Sequence, residues 1–159
     1  MNVYAKIFVG KNADLYANRD AAGVRILTQA GISTPRLLNV GLVNALNAHT
    51  LLFEAIPNAQ NAELSYQQSS DTQRLELALH LVNVLAQHHE ANILQTDLYL
   101  KNFLVAGDDI YTLDGDGIRQ YRFLSRRRAL RNLAVLISKF DVLEVEQWLP
   151  KLLAIYAKA

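Results

Sequence analysis

The spacing of apolar residues changes partway along the chain. From Val3 to Val9 apolar and polar positions alternate, with β-branched and aromatic residues frequent, which predicts a strand ended by Gly10-Lys11-Asn12. From Asn18 to Ala30 the apolar residues Ala21, Val24, Ile26 and Leu27 take helical spacing, and Gly31 supplies a stop, so a helix is expected. Thr34-Pro35 forces extension into a second strand, Arg36 to Val43. A turn over Asn44 to Ala48 leads to a third strand, Thr50 to Ile56, closed by Pro57-Asn58. Asn58 to Ser70 is polar and reads as a linker. Ser70-Asp71-Thr72-Gln73 has the form of a capping box. It opens a helix to about Glu90 with Leu75, Ala78, Leu79, Val82, Leu85 and Ala86 on one face. Strands follow at Phe103 to Ala106 and Ile110 to Leu113, joined by Gly107-Asp108-Asp109. The rest reads as helix, about Arg126 to Phe140 and Val142 to Ala157, with Pro150 as a kink or break. Strands come mostly first and helices mostly last, which is an α+β order with a break near residue 57.

Composition narrows the function. At 159 residues and 51% hydrophobic, the chain can form one domain or two small lobes sharing a cleft. A net charge of +1 gives no field for nucleic acid, and no nucleic-acid partner is expected. The absence of cysteine excludes disulfides, thiolate metal sites and cysteine nucleophiles, and suits a reducing compartment. The N-terminal sequence has no basic region followed by a long apolar stretch, and no apolar run spans a bilayer, so a cytoplasmic protein is expected. One local charge cluster stands out: Arg126, Arg127 and Arg128, with Arg131 beyond. Basic residues at a helix start oppose the helix dipole. The cluster reads either as a solvated helix start or as a peripheral contact with the inner membrane or an anionic glycolipid. His88 and His89 are adjacent on a helix, face different directions and read as structural.

The chemistry concentrates between Leu94 and Arg119. Asp97 and Asn102 stand five apart in a loop, and a tight hairpin then returns Asp114 beside it at the end of an apolar strand. A kinase-type phosphotransferase needs such a set to orient a hydroxyl and hold a metal-nucleotide. Two carboxylates and an amide supply oxygen ligands of the kind magnesium prefers.

These loops resemble the catalytic and metal-binding loops of the protein-kinase-like superfamily. The closest likeness is to bacterial lipopolysaccharide core kinases, which phosphorylate heptose or Kdo. That family carries His-Arg-Asp-Leu-x-x-x-Asn-Phe-Leu-Val, then Ile-Asp-(Leu/Phe)-Asp and an arginine. Here the residues are Gln95-Thr96-Asp97-Leu98-Tyr99-Leu100-Lys101-Asn102-Phe103-Leu104-Val105, then Leu113-Asp114-Gly115-Asp116 and Arg119. Leu27 to Pro35 is also similar to the Ala-Gly-Ile-Pro-Thr-Pro segment after the family's small-lobe helix. The resemblance implies a shortened two-lobed kinase-like fold, with residues 1–56 as a partial small lobe and 57–159 as a helical lobe. It implies Asp97 as the catalytic base and Asn102 and Asp114 as magnesium ligands, with Asp116 assisting. Lys6 falls where the strand lysine meets the α/β-phosphates, and Asp20 falls where a glutamate pairs with that lysine. Leu52 to Ile56, with Glu54, falls at the hinge whose backbone holds adenine. ATP and Mg2+ are the implied cofactors, and a glycolipid or small sugar is the implied acceptor.

The sequence departs from the pattern at named places. Gln95-Thr96 replaces His-Arg, and no glycine-rich loop precedes the lysine strand, so a fragment or an open-roofed nucleotide site is expected. Tyr99 stands where protein kinases carry a lysine, which argues against a protein substrate. Two alternatives stay open: a non-catalytic kinase-like binding module, and a small-molecule kinase of the aminoglycoside or choline type.

Overall fold

The computed structural model describes residues 2–43 and 48–158, and it is a mixed α+β arrangement of small antiparallel sheets and helices. The first sheet holds β1 (Val3–Phe8), β2 (Leu37–Val43) and β3 (Ala48–Glu54) in the order β1-β3-β2. Of the turn expected over Asn44 to Ala48, 44–47 lie outside the described residues, and Ala48 already opens β3. Register along β1 and β3 sets Lys6 opposite Leu51 and Tyr4 opposite Phe53. Phe53 stacks on Tyr4 with ring centroids 5.1 Å apart. Against this sheet lies α1 (Ala13–Gln29), burying Ala21 and Val24 on Leu51 and Phe53.

Helix α1 begins five residues before the expected Asn18, because its buried stripe is built on small residues, Ala13, Ala17 and Ala21. The segment expected as a linker instead forms β4 (Gln60–Asn61) and α2 (Ala62–Gln68). Helix α2 buries only Ala62, so its apolar signal is weak. It is held by a cap, Leu64 N–H donating to Asn61 Oδ1 at 2.9 Å, and by Tyr66 packing on Phe140.

The capping box stands: Gln73 Oε1 accepts from Ser70 N at 3.0 Å and from Ser70 Oγ at 2.9 Å, opening α3 (Asp71–Glu90). The buried face of α3 centres on Ala78, Leu81, Val82 and Leu85, while Leu75 and Leu79 sit at its margin. Strands β6 (Phe103–Ala106) and β7 (Asp109–Thr112) form the expected hairpin beside β4, and β5 (Ile93–Gln95) pairs with β8 (Ile118–Gln120). The chain ends in α4 (Arg126–Ile137) and α5 (Val142–Tyr156). Pro150 lies inside α5 without ending it, at an exposed position.

The largest core joins α3, α4 and α5 around Phe103, Leu85, Leu136 and Leu152. A smaller cluster, Leu27, Ile32, Ile93 and Ile118, ties α1 to the β5/β8 pair. That second contact brings α1 against the loop between β7 and β8.

Candidate active site

Three elements converge on one cavity: the lysine strand β1, helix α1 and the loop that follows β7. The cavity holds about 240 Å³ and is lined by Lys6, Asp20, Asn102 and Asp114 together with Tyr4, Val24 and Phe53. Lys6 Nζ donates to Asp20 Oδ2 and, at 2.8 Å, to Asp114 Oδ1. Burial opposes the charge on Lys6, but the two carboxylates outweigh it and raise its pKa. Asp20 is buried, and that burial raises its pKa against the opposing pull of Lys6 and of the Gly115 N–H. The Gly115 N–H donates to Asp20 Oδ1 at 2.8 Å, so both oxygens of this carboxylate are engaged.

A carboxylate one methylene shorter than glutamate reaches the lysine because the backbones approach so closely. A Cβ on Gly23 would meet Gly115 O at 1.9 Å, and one on Gly115 would meet Asp20 O at 2.1 Å. Both glycines are therefore required for α1 to sit where Asp20 can touch Lys6.

Asp114 itself has left-handed backbone, φ 62° and ψ 73°. An aspartate tolerates this conformation at a small cost, and such outliers gather at functional sites. Here it breaks the direction of β7 and puts the carboxylate on Lys6. The following turn is closed by Gly117 N–H donating to Asp114 O at 3.1 Å.

The loop 97–102 is closed from within. Asn102 Nδ2 donates to Asp97 O at 2.9 Å, which leaves its oxygen as the group it can offer a cation. Leu113 N–H donates to Asn102 O at 2.8 Å and fixes the loop to the strand carrying Asp114. Asp97 is half-buried and packs on Gly117, where an added Cβ would come within 3.3 Å of Asp97 Cβ. Thr96 N–H and Oγ1 both donate to Gly117 O, at 2.8 and 3.0 Å.

The remaining expected residues lie elsewhere. Asp116 does not line the cavity; its Oδ1 is 2.8 Å from Arg19 Nε, an ion pair that ties the loop to α1. Glu54 pairs on the surface with Arg36 at 2.9 Å, and neither it nor Ile56 lines the cavity. Among the described residues no three His, Cys, Asp or Glu side chains form a metal cluster. His88 is buried, and desolvation holds its pKa down to about 3. The sequence pattern does not mark Arg19, Gly23 or Asn132, whose Nδ2 donates to Gln95 O at 2.9 Å just before the loop that carries Asp97.

The model of the Lipopolysaccharide kinase (Kdo/WaaP) family matches residues 12–150. The chain belongs to the lipopolysaccharide kinase (Kdo/WaaP) family. A search of curated proteins finds no match. The stretch matched by the Kdo/WaaP model takes in Asp20, Asp97, Asn102 and Asp114. Lys6 precedes it, and its place in the site rests on its two carboxylate contacts. In this family of kinases the general activity is phosphoryl transfer, and lipopolysaccharide is the substrate the family name gives. Among the described residues no helix is long and apolar enough to cross a membrane.

Proposed function

We propose that this chain is an ATP-dependent phosphotransferase acting on a sugar hydroxyl of the lipopolysaccharide core, a heptose or Kdo. The observation that carries the reading is the convergence of Lys6, Asp20, Asn102 and Asp114 on one cavity. In this reading residues 1–56 are a small lobe, 57–159 a helical lobe, and the cavity is the cleft between them. Lys6 neutralises phosphate oxygens of the nucleotide, and Asp20 holds it in place. Adenine rests on Tyr4, Val24 and Phe53, beside the Glu54 to Ile56 segment. Asp97 orients the acceptor hydroxyl and takes its proton.

The donor set fits magnesium. Asp114 offers a carboxylate and Asn102 an amide oxygen, and magnesium is commonly held by one or two protein oxygens plus phosphates and water. When bound, Mg2+ would neutralise charge on the phosphates. Asp114 pairs with Lys6 here and would exchange part of that contact for the cation, while Asp116 keeps its pair with Arg19 and serves to fix the loop.

Calorimetry on the full chain should detect Mg-ATP binding that Lys6→Met weakens; the absence of binding would overturn the reading. A screen of heptose, Kdo, aminoglycoside and choline acceptors separates a lipopolysaccharide core kinase from a small-molecule kinase. Turnover lost in Asp97→Asn with the fold intact rules out a non-catalytic module.

A further inference from the structure

The surface formed by α4 and α5 carries a pattern that the phosphotransferase site does not use. Helix α4 already fills its core face with Ala129, Leu133 and Leu136, yet it also presents Leu130 and Val135 to solvent. Helix α5 adds Val142 at 69% and Leu143 at 68% exposure. Between the helices runs a groove of about 440 Å³ lined by Leu130, Ala134, Ile137, Leu149 and Leu153 among others, with Glu146 its single acid.

Arginines crowd one end of this apolar face. Arg127 and Arg131 share a stripe of α4 with Leu130 and Ala134, at the i, i+4, i+3 and i+7 positions. Among the described residues, no carboxylate lies within ion-pair distance of Arg126, Arg127, Arg128 or Arg131. They occupy the start of a helix with no acidic residue in its first turn, where the exposed N–H groups repel cations. Phe123, just before the helix, is 81% exposed. Arg128 lies over the Tyr121 ring, 5.3 Å from its centroid, whereas Arg127 and Arg131 make no ion pair or ring contact among the described residues, and Val142 and Leu143 leave about two thirds of their surface in solvent.

We propose that the α4–α5 face docks on the surface of an anionic phospholipid bilayer. The arginines meet lipid phosphates, and Leu130, Val142, Leu143 and Phe123 enter the boundary between headgroups and acyl chains. Charge complementarity selects this occupant, because an apolar stripe edged on one side by unpaired arginines is the pattern of an interfacial helix. The inference rests on the reading above only for the reason a membrane would be near, since a lipopolysaccharide acceptor is itself membrane-anchored.

The test is flotation of the full chain with vesicles of phosphatidylcholine alone or of phosphatidylcholine with phosphatidylglycerol. Binding is expected only with the anionic lipid and should weaken as salt rises. Arg127→Gln with Arg131→Gln should lower partitioning about fivefold for each arginine removed. Val142→Ser with Leu143→Ser should lower it at every salt concentration, circular dichroism confirming that each variant stays folded. Equal binding to both vesicles, or none, overturns the proposal without any variant. So does self-association by light scattering that Val142→Ser with Leu143→Ser abolishes, which would make the face a contact between copies. No readout involves turnover, so failure here and failure of the phosphotransferase reading are separate results.

Discussion

Gly23→Ala is the smallest change that should disable the cavity. The new Cβ would stand 1.9 Å from Gly115 O and 2.7 Å from Gly115 Cα, where ordinary contact begins at 3.4 Å. The obstacle is backbone, so α1 must move outward by about 1.5 Å, the shortfall in that contact. That movement stretches the 2.8 Å bond from Gly115 N–H to Asp20 Oδ1 beyond the 3.2 Å limit of an N–H···O bond and pulls Asp20 from Lys6. Overpacking costs about 1–3 kcal/mol and loss of a bond to a charged group about 1.5–3 kcal/mol, against a helix-propensity gain of about 1 kcal/mol. The net loss is roughly 1.5–5 kcal/mol, a fall in Tm of roughly 3–20 °C for a chain of this size. Mg-ATP binding by calorimetry should fall with it. The reasoning makes a sharper demand: adding Asp20→Glu to Gly23→Ala restores about one methylene of reach and should recover part of the lost binding. In the otherwise unchanged chain, Asp20→Glu overfills a buried site and should harm it. Gly23→Ala with wild-type stability and binding would refute the argument, as would single effects that merely add in the double variant.

Three further outcomes are expected. Asp97→Asn should cut turnover on the order of 10²–10⁴-fold while leaving nucleotide affinity by calorimetry unchanged, since its side chain does not line the cavity. His88 is held neutral to about 3 against an ordinary 6.5, so the unfolded chain takes up a proton first; stability should fall by about 1.4 kcal/mol per pH unit from this group as pH drops below 6.5. Urea midpoints across that window should show His88→Leu lacking this share of the slope. Tyr66→Phe removes a hydroxyl that donates to Glu144 and accepts from Asp141 N–H at 3.0 Å, and should lower stability by about 1 kcal/mol in thermal unfolding.

Periodicity was readable wherever large side chains marked the buried face. The capping box at Ser70, the hairpin at 103–112 and the lysine strand all follow local rules that a sequence displays directly. The loop spacing and the hairpin predict that Asn102 and Asp114 meet, the resemblance adds Lys6 and Asp20, and the structure brings all four to one cavity. What escaped were features with no apolar signature: the alanine stripe that begins α1, the polar helix α2, and the contact of Gly23 with Gly115. Glycine in a helix reads as a weak former, and only the opposing loop reveals that its missing side chain is the point. Asp116, which the resemblance implies as assisting the metal, pairs with Arg19, a contact that nothing in the local pattern announces.

The replacement of His-Arg by Gln95-Thr96 also finds its physical counterpart in the fold. Gln95 is buried, and neither atom of its side-chain amide has a partner among the described residues, so that side chain is not what anchors the loop. Its backbone is. Asn132 Nδ2 on α4 donates to Gln95 O at 2.9 Å, which commits Asn132 Oδ1 to accept from His89 Nε2 at 3.0 Å. A neutral His89 then has Nδ1 free to accept from Tyr156 OH at 2.7 Å. Burial keeps the His89 pKa low, which favours this neutral ring. The three residues come from α3, α4 and α5, so the loop carrying Asp97 is pinned to the main core from behind. In front, Thr96 grips Gly117, and the loop carrying Asp114 is pinned to α1 through Gly115 and Arg19. Asp97 thus sits on a segment held from both sides by bonds to backbone, which fixes its position without the His-Arg side chains that the family pattern carries.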